Sequence, residues 1–600
     1  MTRRHSRLNE RARTLFALVA TTLGCGGAAR GTARTPRGDD ASAQLAVLLG
    51  EAEQIERACD PVTAAQDGDA TALSLLPDVR PEALEGYSAR RQALRTALHR
   101  IDARALSDAD ALNHQLLSEA TALALEEHAL DLPRLAFQND EGFHTLADYL
   151  AGTTTLRSEA DADAWLRRIA ALPAFYAQNV ANLQRGVDTR FTQPRLVVER
   201  VLATARRAAA APARDSPLLA PLRALPGSLP TALRTQLHER GEQLVQQQVL
   251  PAQRAFVAFL EQTYLPAARP ALSVRSLSNG DSVYRFLVRR ETTSSLAPDE
   301  IHALGLREVA RIRARMDETL VRSGFRGSFA EFLHFLRSDR QFYSENAERL
   351  LERASEIAKR ADESLPRVFG TLPRLPYGVR PVPPELAEGY TSGRYWPGSP
   401  KLGQSAVYLV NTLHLDQRPL FELPALTLHE AVPGHHLQIA LAQERDALPY
   451  FRRYALPTAY VEGWALYAES LGEELGLYRD PYELFGRLSF EMWRACRLVA
   501  DVEIHWHGAS LDEARRCFTD NSALAPHNIE TELERYVSWP AQALAYKVGE
   551  LRITALRRAA EQQLGTRFDV RDFHDAVLAG GALPLDVLAA QIEAYIARKR

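Results

Sequence analysis

Apolar side chains recur at helical spacing along almost the whole chain, and that periodicity changes in one region. From about residue 43 to 265 the sequence reads as successive amphipathic helices broken by Pro and Gly clusters such as Ala211 to Pro230. Ile301, Leu304, Val309, Ile312 and Met316 form one such stripe, behind a Pro298-Asp299-Glu300 first turn, and are predicted core. Between Leu372 and Asn411 prolines and glycines cluster instead, and Ser405-Ala406-Val407-Tyr408-Leu409-Val410-Asn411 has the β-branched and aromatic content of a short strand. Helices then resume to the C-terminus, and no internal repeat is present. The expected fold is mainly α, a large two-lobed helical body with a small β-sheet. Its N-terminal lobe is expected over 43–270 and its catalytic lobe over 271–600.

The N-terminus carries an address. Arg3, Arg4, Arg7, Arg11 and Arg13 precede a short apolar run, Leu15 to Leu23, which suits a signal peptide and is too short to span a bilayer. Thr22-Leu23-Gly24-Cys25 resembles a bacterial lipoprotein cleavage site, although Thr22 stands where leucine is usual. Residues 1–25 thus read as a signal peptide and 26–42, rich in Gly, Ala, Arg and Thr, as a flexible tether. Export follows, either as a membrane-anchored lipoprotein through Cys25 or as a periplasmic or secreted protein. Cys59, Cys496 and Cys517 are far apart and odd in number, so no disulfide framework is indicated. A net charge of -3 with both signs mixed throughout excludes the electrostatic footprint of a nucleic-acid binder.

The chemistry concentrates in Leu428-His429-Glu430-Ala431-Val432-Pro433-Gly434-His435-His436-Leu437-Gln438. In the common zinc-protease motif two histidines four apart bind the metal from one helical face, and the glutamate after the first is the general base. Here Pro433 occupies the fourth position, and His435 lies about 9 Å and His436 about 10.5 Å from His429 along an ideal helix. Zinc–nitrogen bonds of about 2.0 to 2.1 Å forbid such a spread, so a regular helix fails. Pro433 and Gly434 supply a break at the required place. If the turn extrudes two residues, His435 becomes the second ligand; if three, His436 does. The unused histidine then serves as a substrate or oxyanion contact. A third ligand is expected from Val461-Glu462-Gly463-Trp464-Ala465-Leu466-Tyr467-Ala468-Glu469, whose carboxylates lie seven apart on nearly one helical face. Glu462 is read as the ligand and Glu469 as the group orienting a histidine.

Arg494, Arg497, Asp501 and His505 share a helical stripe, for which buried ion pairing is the plain reading. Arg497 has a functional alternative, a bidentate grip on a substrate carboxylate. His505 and His507 form an isolated His-x-His.

The stretch His429 to Gln438, with Tyr460-Val461-Glu462-Gly463-Trp464-Ala465 and the segment from Tyr536 through Gly549, resembles the bacterial domain-of-unknown-function 885 family. That family is similar to the helical zinc peptidases of the thimet oligopeptidase and Taq carboxypeptidase kind. The resemblance implies a zinc-peptidase-like fold holding one zinc per chain and acting on peptide substrates. It also implies a late tyrosine that donates to the oxyanion, for which Tyr546 is the candidate by position. Tyr390, ahead of the strand, is a further candidate substrate contact. Such peptidases often place an edge strand just before the metal helix, so Val407 to Asn411 is a candidate for pairing with an extended substrate. The family's His-Glu-x-x-His relatives lack the two-residue expansion seen here, which leaves His435 and His436 both open.

The function expected is therefore a zinc metallopeptidase. His429, His435 and Glu462 bind the metal, Glu430 and Tyr546 act in catalysis, and Arg497, His436 and Tyr390 contact substrate. Rivals are a metal-dependent hydrolase of a non-peptide amide and an exported metal-containing lipoprotein without turnover. Oligomeric state is not legible.

Overall fold

The computed structural model describes residues 38–139, 141–387, 391–454 and 456–600. Helix boundaries follow local chemistry. Pro298 opens a helix at Pro298–Ser323 (α1) in the position where its missing N–H costs nothing, and Gly324 closes it at φ 76°, the left-handed region that glycine tolerates. Ile301, Ile312 and Met316 are fully buried, whereas Leu304 and Val309 sit half-buried at the stripe's edges.

Among the helices that follow residue 420 are Leu423–Glu430 (α2), His435–Gln443 (α3), Thr458–Leu475 (α4), Pro481–Val502 (α5), Leu511–Asn521 (α6), Pro526–Ser538 (α7) and Ala545–Leu564 (α8). The Asp480 carboxylate caps α5 by accepting from the amides of Tyr482 and Glu483. Two crossings are close enough to forbid side chains. A Cβ on Gly549 would lie 1.8 Å from the Ala459 carbonyl, and one on Gly463 would lie 2.5 Å from Gly549, so α4 and α8 meet backbone to backbone. A Cβ on Gly305 would reach Leu498 at 2.8 Å, which brings α1 onto α5.

The fold is mainly α, with one three-stranded sheet in the order β1-β3-β2: Tyr377–Pro381 (β1), Gly393–Trp396 (β2) and Ala406–Val410 (β3). β1 runs parallel to β3, pairing Tyr377 with Ala406, and β2 runs antiparallel, pairing Tyr395 with Tyr408. The predicted strand is thus present, but it lies in the centre of the sheet. The reading of Val407 to Asn411 as an edge is corrected: β2, too short to stand out in the sequence, takes that place.

The largest core cluster draws on Val198 and Leu260 from before residue 270 and on Met316, Phe485 and Leu533 from after it. The first described helix, Gly38–Cys59, begins inside the stretch read as a tether, because Ala41, Leu45, Ala52 and Ile55 bury a helical face. Cys496 and Cys517 are joined in a disulfide, contrary to the sequence reading. The reversal between α5 and α6 brings together two residues that look remote in the chain, with Cα atoms 5.6 Å apart. Among the described residues no helix is long and apolar enough to cross a membrane.

Candidate metal centre

The metal motif is built from two helices and the break between them. α2 ends at Glu430, the Val432–Pro433 peptide is cis, and α3 begins at His435. Residues 431 to 434 therefore stand outside both helices, and the amide of His436 donates back to the Ala431 carbonyl at 3.1 Å. Gly434 is not in the left-handed region. Its φ is -78°, and it must be glycine because a Cβ there would lie 2.0 Å from the His429 carbonyl. The Trp464 indole N–H, from α4, donates to the Pro433 carbonyl at 2.8 Å and pins the break.

This arrangement brings His435, rather than His436, to the side of His429. One ligand atom each from His429, His435 and Glu462 lie within 4.8 Å of one another. Glu462 Oε2 is 3.4 Å from His429 Nε2 and 3.4 Å from His435 Nε2. Tetrahedral ligands at about 2.0 to 2.1 Å from zinc are separated by about 3.3 to 3.4 Å. Both Glu462 contacts have that length, and neither has hydrogen-bond geometry, so Oε2 is buried without a hydrogen-bond partner. The donor set, two imidazoles and a carboxylate, is the one zinc takes when a fourth position stays open. The residues fit the ion.

Electrostatics favour positive charge here. Burial alone would lower the pKa of His429, but its contacts with Glu462 and Glu469 outweigh burial and raise it to about 10. Burial would raise Glu462; the facing His435 and His429 hold it well below the carboxylate range instead.

A surrounding layer orients the ligands. The Glu469 carboxylate lies 2.8 Å from His429 Nδ1, on the same helix as Glu462 and two turns on, leaving Nε2 for the centre. The Gln438 amide touches His435 Nδ1 at 3.2 Å and donates to the Val461 carbonyl at 2.7 Å, tying α3 to α4. Glu430 points into the same space, and its Oε2 accepts the Tyr395 amide at 2.7 Å, on the side of β2 turned away from β3. Gln438 had a sequence signal, one helical turn after His435. Tyr395 had none, because its role depends on sheet register.

The centre opens into a cleft of about 300 Å³. Tyr546, on α8, lies in its wall with its ring parallel to that of His429, centroids 6.3 Å apart, and its hydroxyl 3.5 Å from Arg535 and Gln542. Arg497 also lines the cleft, but its guanidinium donates to Glu532 at 2.6 Å and to the Tyr536 hydroxyl at 3.0 Å. Glu141 comes from the N-terminal half and pairs with Arg394 of β2 across the cleft; sequence reading missed both. Burial would raise Glu141, but Arg394 and Arg535 hold it below its ordinary value.

His436 is turned away. Its Nε2 donates to the Leu375 carbonyl at 2.9 Å, Nδ1 meets the Tyr395 hydroxyl at 3.3 Å, and burial lowers its pKa to about 4, so the ring is neutral. Its ring packs against Tyr377 of β1 and Tyr395 of β2. Tyr390 and Cys25 lie outside the described residues. The Arg494-to-His505 stripe pairs outward rather than with itself: Asp501 accepts from the Tyr284 hydroxyl and the Ala541 amide, and His505 donates to the Tyr536 carbonyl. His507 pairs at the surface with Asp299, so His505 and His507 do not converge. Lys547 is fully buried among Glu308, Glu491 and Glu550, tying α8 to α1 and α5 behind Tyr546.

The chain is 27% identical to a candidate lipoprotein from Colwellia psychrerythraea of known crystal structure. The two superpose with a TM-score of 0.86 over 93% of this chain and 99% of that one. A candidate lipoprotein of unknown function from Shewanella oneidensis, 16% identical, shares the fold with a TM-score of 0.66 over 93% of this chain and all of its own. Comparison with curated proteins returns no match. A family model described as bacterial protein of unknown function (DUF885) matches residues 61–592, and the chain belongs to that family.

Proposed function

We propose that this protein is an exported zinc-dependent metallopeptidase. The observation that carries the reading is Glu462 Oε2, buried without a hydrogen-bond partner and 3.4 Å from two imidazole nitrogens, with a second carboxylate beside them on Glu430. A zinc ion held by His429, His435 and Glu462 supplies Lewis acidity toward a carbonyl and toward water. Glu430 is the base: with Oε2 tied to the Tyr395 amide, Oε1 is the oxygen that takes the proton from the attacking water and returns it to the leaving amine. Tyr546 donates to the oxyanion, its hydroxyl facing the cleft beside Arg535 and Gln542. Substrate lies beside β2, which lines the cleft through Gly393 and Tyr395 and whose outward Tyr395 amide is engaged by Glu430. Arg497 and Tyr390 are assigned to substrate contact, and His436 acts through Tyr395.

Export is supported by the arginine-flanked apolar run at the N-terminus, by the lipoprotein relatives and by the Cys496–Cys517 disulfide, a bond that persists in oxidising compartments. Cys25 is the proposed acylation site.

Elemental analysis of purified wild type, with the His429, His435, His436 and Glu462 alanine variants, tests the reading alongside hydrolysis of a peptide mixture. About one zinc per chain is expected, lost in the His429, His435 and Glu462 variants and kept in His436→Ala. Wild type that neither binds zinc nor cleaves peptides when zinc is supplied overturns it.

A further inference from the structure

A second pocket lies where the connection between β2 and β3 rests on the N-terminal half. It holds about 80 Å³ and shares no lining residue with the metal cleft. The connection is tied down around it: Ser399 Oγ donates to the Gln66 carbonyl at 2.6 Å, Lys401 Nζ pairs with Asp67 at 2.7 Å, and Gln404 Nε2 donates to the Thr153 carbonyl at 3.0 Å. Arg168, from the helix Glu159–Asp188, forms part of the pocket wall and is 2% exposed. Its one hydrogen bond runs from Nη2 to the Ala72 carbonyl at 2.6 Å. Its Nε is buried without a partner, and no carboxylate of the described residues forms an ion pair with it. Burial lowers its pKa to about 10 against the pull of Asp60, whose oxygens are taken by the amides of Val62 and Thr63 and by the Thr63 hydroxyl. Arg168 is therefore a cation at neutral pH, and a buried charge is costly unless it is paired.

The rest of the lining narrows what can pair with it. Val62, Leu73 and Leu150 give the pocket an apolar side. Asp69 and Asp161 also line it, so that with Arg157 and Arg168 the formal charges of the lining sum to zero. Both carboxylates are turned to backbone rather than to Arg168: Asp69 Oδ1 accepts from the Thr71 and Ala72 amides at 2.9 and 3.3 Å, and Asp161 Oδ2 from the Arg157 amide at 2.8 Å. They oppose an anion of two charges, and the apolar side favours a ligand with a hydrocarbon part. We propose that this pocket binds a small monocarboxylate, a short aliphatic acid or a free amino acid. Its carboxylate lies on the Arg168 guanidinium, whose planar fork matches that shape, and its carbon chain lies against Leu73 and Leu150. The inference does not depend on the peptidase reading. Leu402 closes the pocket on one side, so an occupant also braces the β2–β3 connection.

The test measures binding of propionate and of L-alanine to the whole protein by ligand-observed NMR, with propionamide as the uncharged control and inorganic phosphate as a competitor. The better of the two acids is expected to bind at least about 10-fold tighter than propionamide, the weight of one charge-assisted pair, and phosphate to compete poorly. Which acid binds tighter tells a simple acid from a zwitterion. Arg168→Met is expected to remove binding, and so is Leu73→Trp, which fills the pocket and leaves the guanidinium in place; circular dichroism checks that both variants stay folded. Hydrogen exchange on the wild type needs no substitution: the bound acid is expected to slow exchange in peptides covering 150–157 and 397–404. The proposal is overturned if neither acid binds, if propionamide binds as well as the acids, or if phosphate displaces them at equal concentration. Binding that survives Leu73→Trp, or that leaves both segments unprotected, belongs elsewhere and overturns it too.

Discussion

A buried carboxylate oxygen facing two imidazole nitrogens at 3.4 Å sets unequal roles for neighbouring glutamates. Glu430→Gln keeps both ligating helices intact, so zinc content is expected to be unchanged and turnover to fall by about 10²- to 10⁴-fold, the usual weight of a general base. Glu469→Gln removes charge behind His429 without touching the triad, and zinc affinity measured by competition with a chelator is expected to weaken about 10- to 100-fold. Glu422, just ahead of α2, is a third case. Burial pushes its pKa up to about 8 against the pull of Arg418 and Arg337, and its Oε1 has no hydrogen-bond partner. The folded state therefore holds this proton more tightly than the unfolded chain, whose value is 4.5. Its stabilising effect is complete below pH 4.5 and is lost as pH rises through 8. Denaturation of wild type and Glu422→Gln from pH 5 to 9 is expected to show the wild type losing ground up to pH 8, by at most about 1.4 kcal/mol per pH unit, and no further above it.

The elements around the break at residues 431 to 434 show why sequence legibility is uneven. The histidine spacing, Pro433 and the two carboxylates of α4 were readable because each is a local departure from helical pattern. The choice of His435 over His436 was not, because it depends on the rotation of α3, set by Gln438, Trp464 and the close approach of Gly434 to His429. Gly434→Ala is accordingly expected to lose zinc even though no ligand is changed, with circular dichroism still reporting a mainly helical protein. The centre of the sheet was legible as a strand and its edge was not: β2 is four residues long, and only its pairing with β3 shows which side meets Glu430. The disulfide escaped for the same reason. It closes a loop of 21 residues, and its removal by Cys496→Ala with Cys517→Ala is expected to cost about 3 kcal/mol, read as a lowered denaturation midpoint.

On the scale of the molecule, fold class was legible because helical periodicity is repeated many times over, whereas the cleft, which takes Glu141 from the N-terminal half and Arg394, Trp493 and Tyr546 from the other, was not. No local pattern announces partners that far apart. Anchoring is tested on the whole chain: Cys25→Ala is expected to shift the protein from the membrane to the soluble fraction and to remove lipid from its N-terminal peptide in mass spectra. The α4–α8 crossing has a broader consequence. Glu462 and Tyr546 stand on two helices whose separation is set by main chain touching main chain at Gly463 and Gly549, so a side chain added at either glycine would force the two residues apart. The jaws of this vice are welded. Under the proposed function, specificity is then open to change at the mouth, at positions such as Glu141, Arg394, Leu456 and Trp539, rather than across that gap.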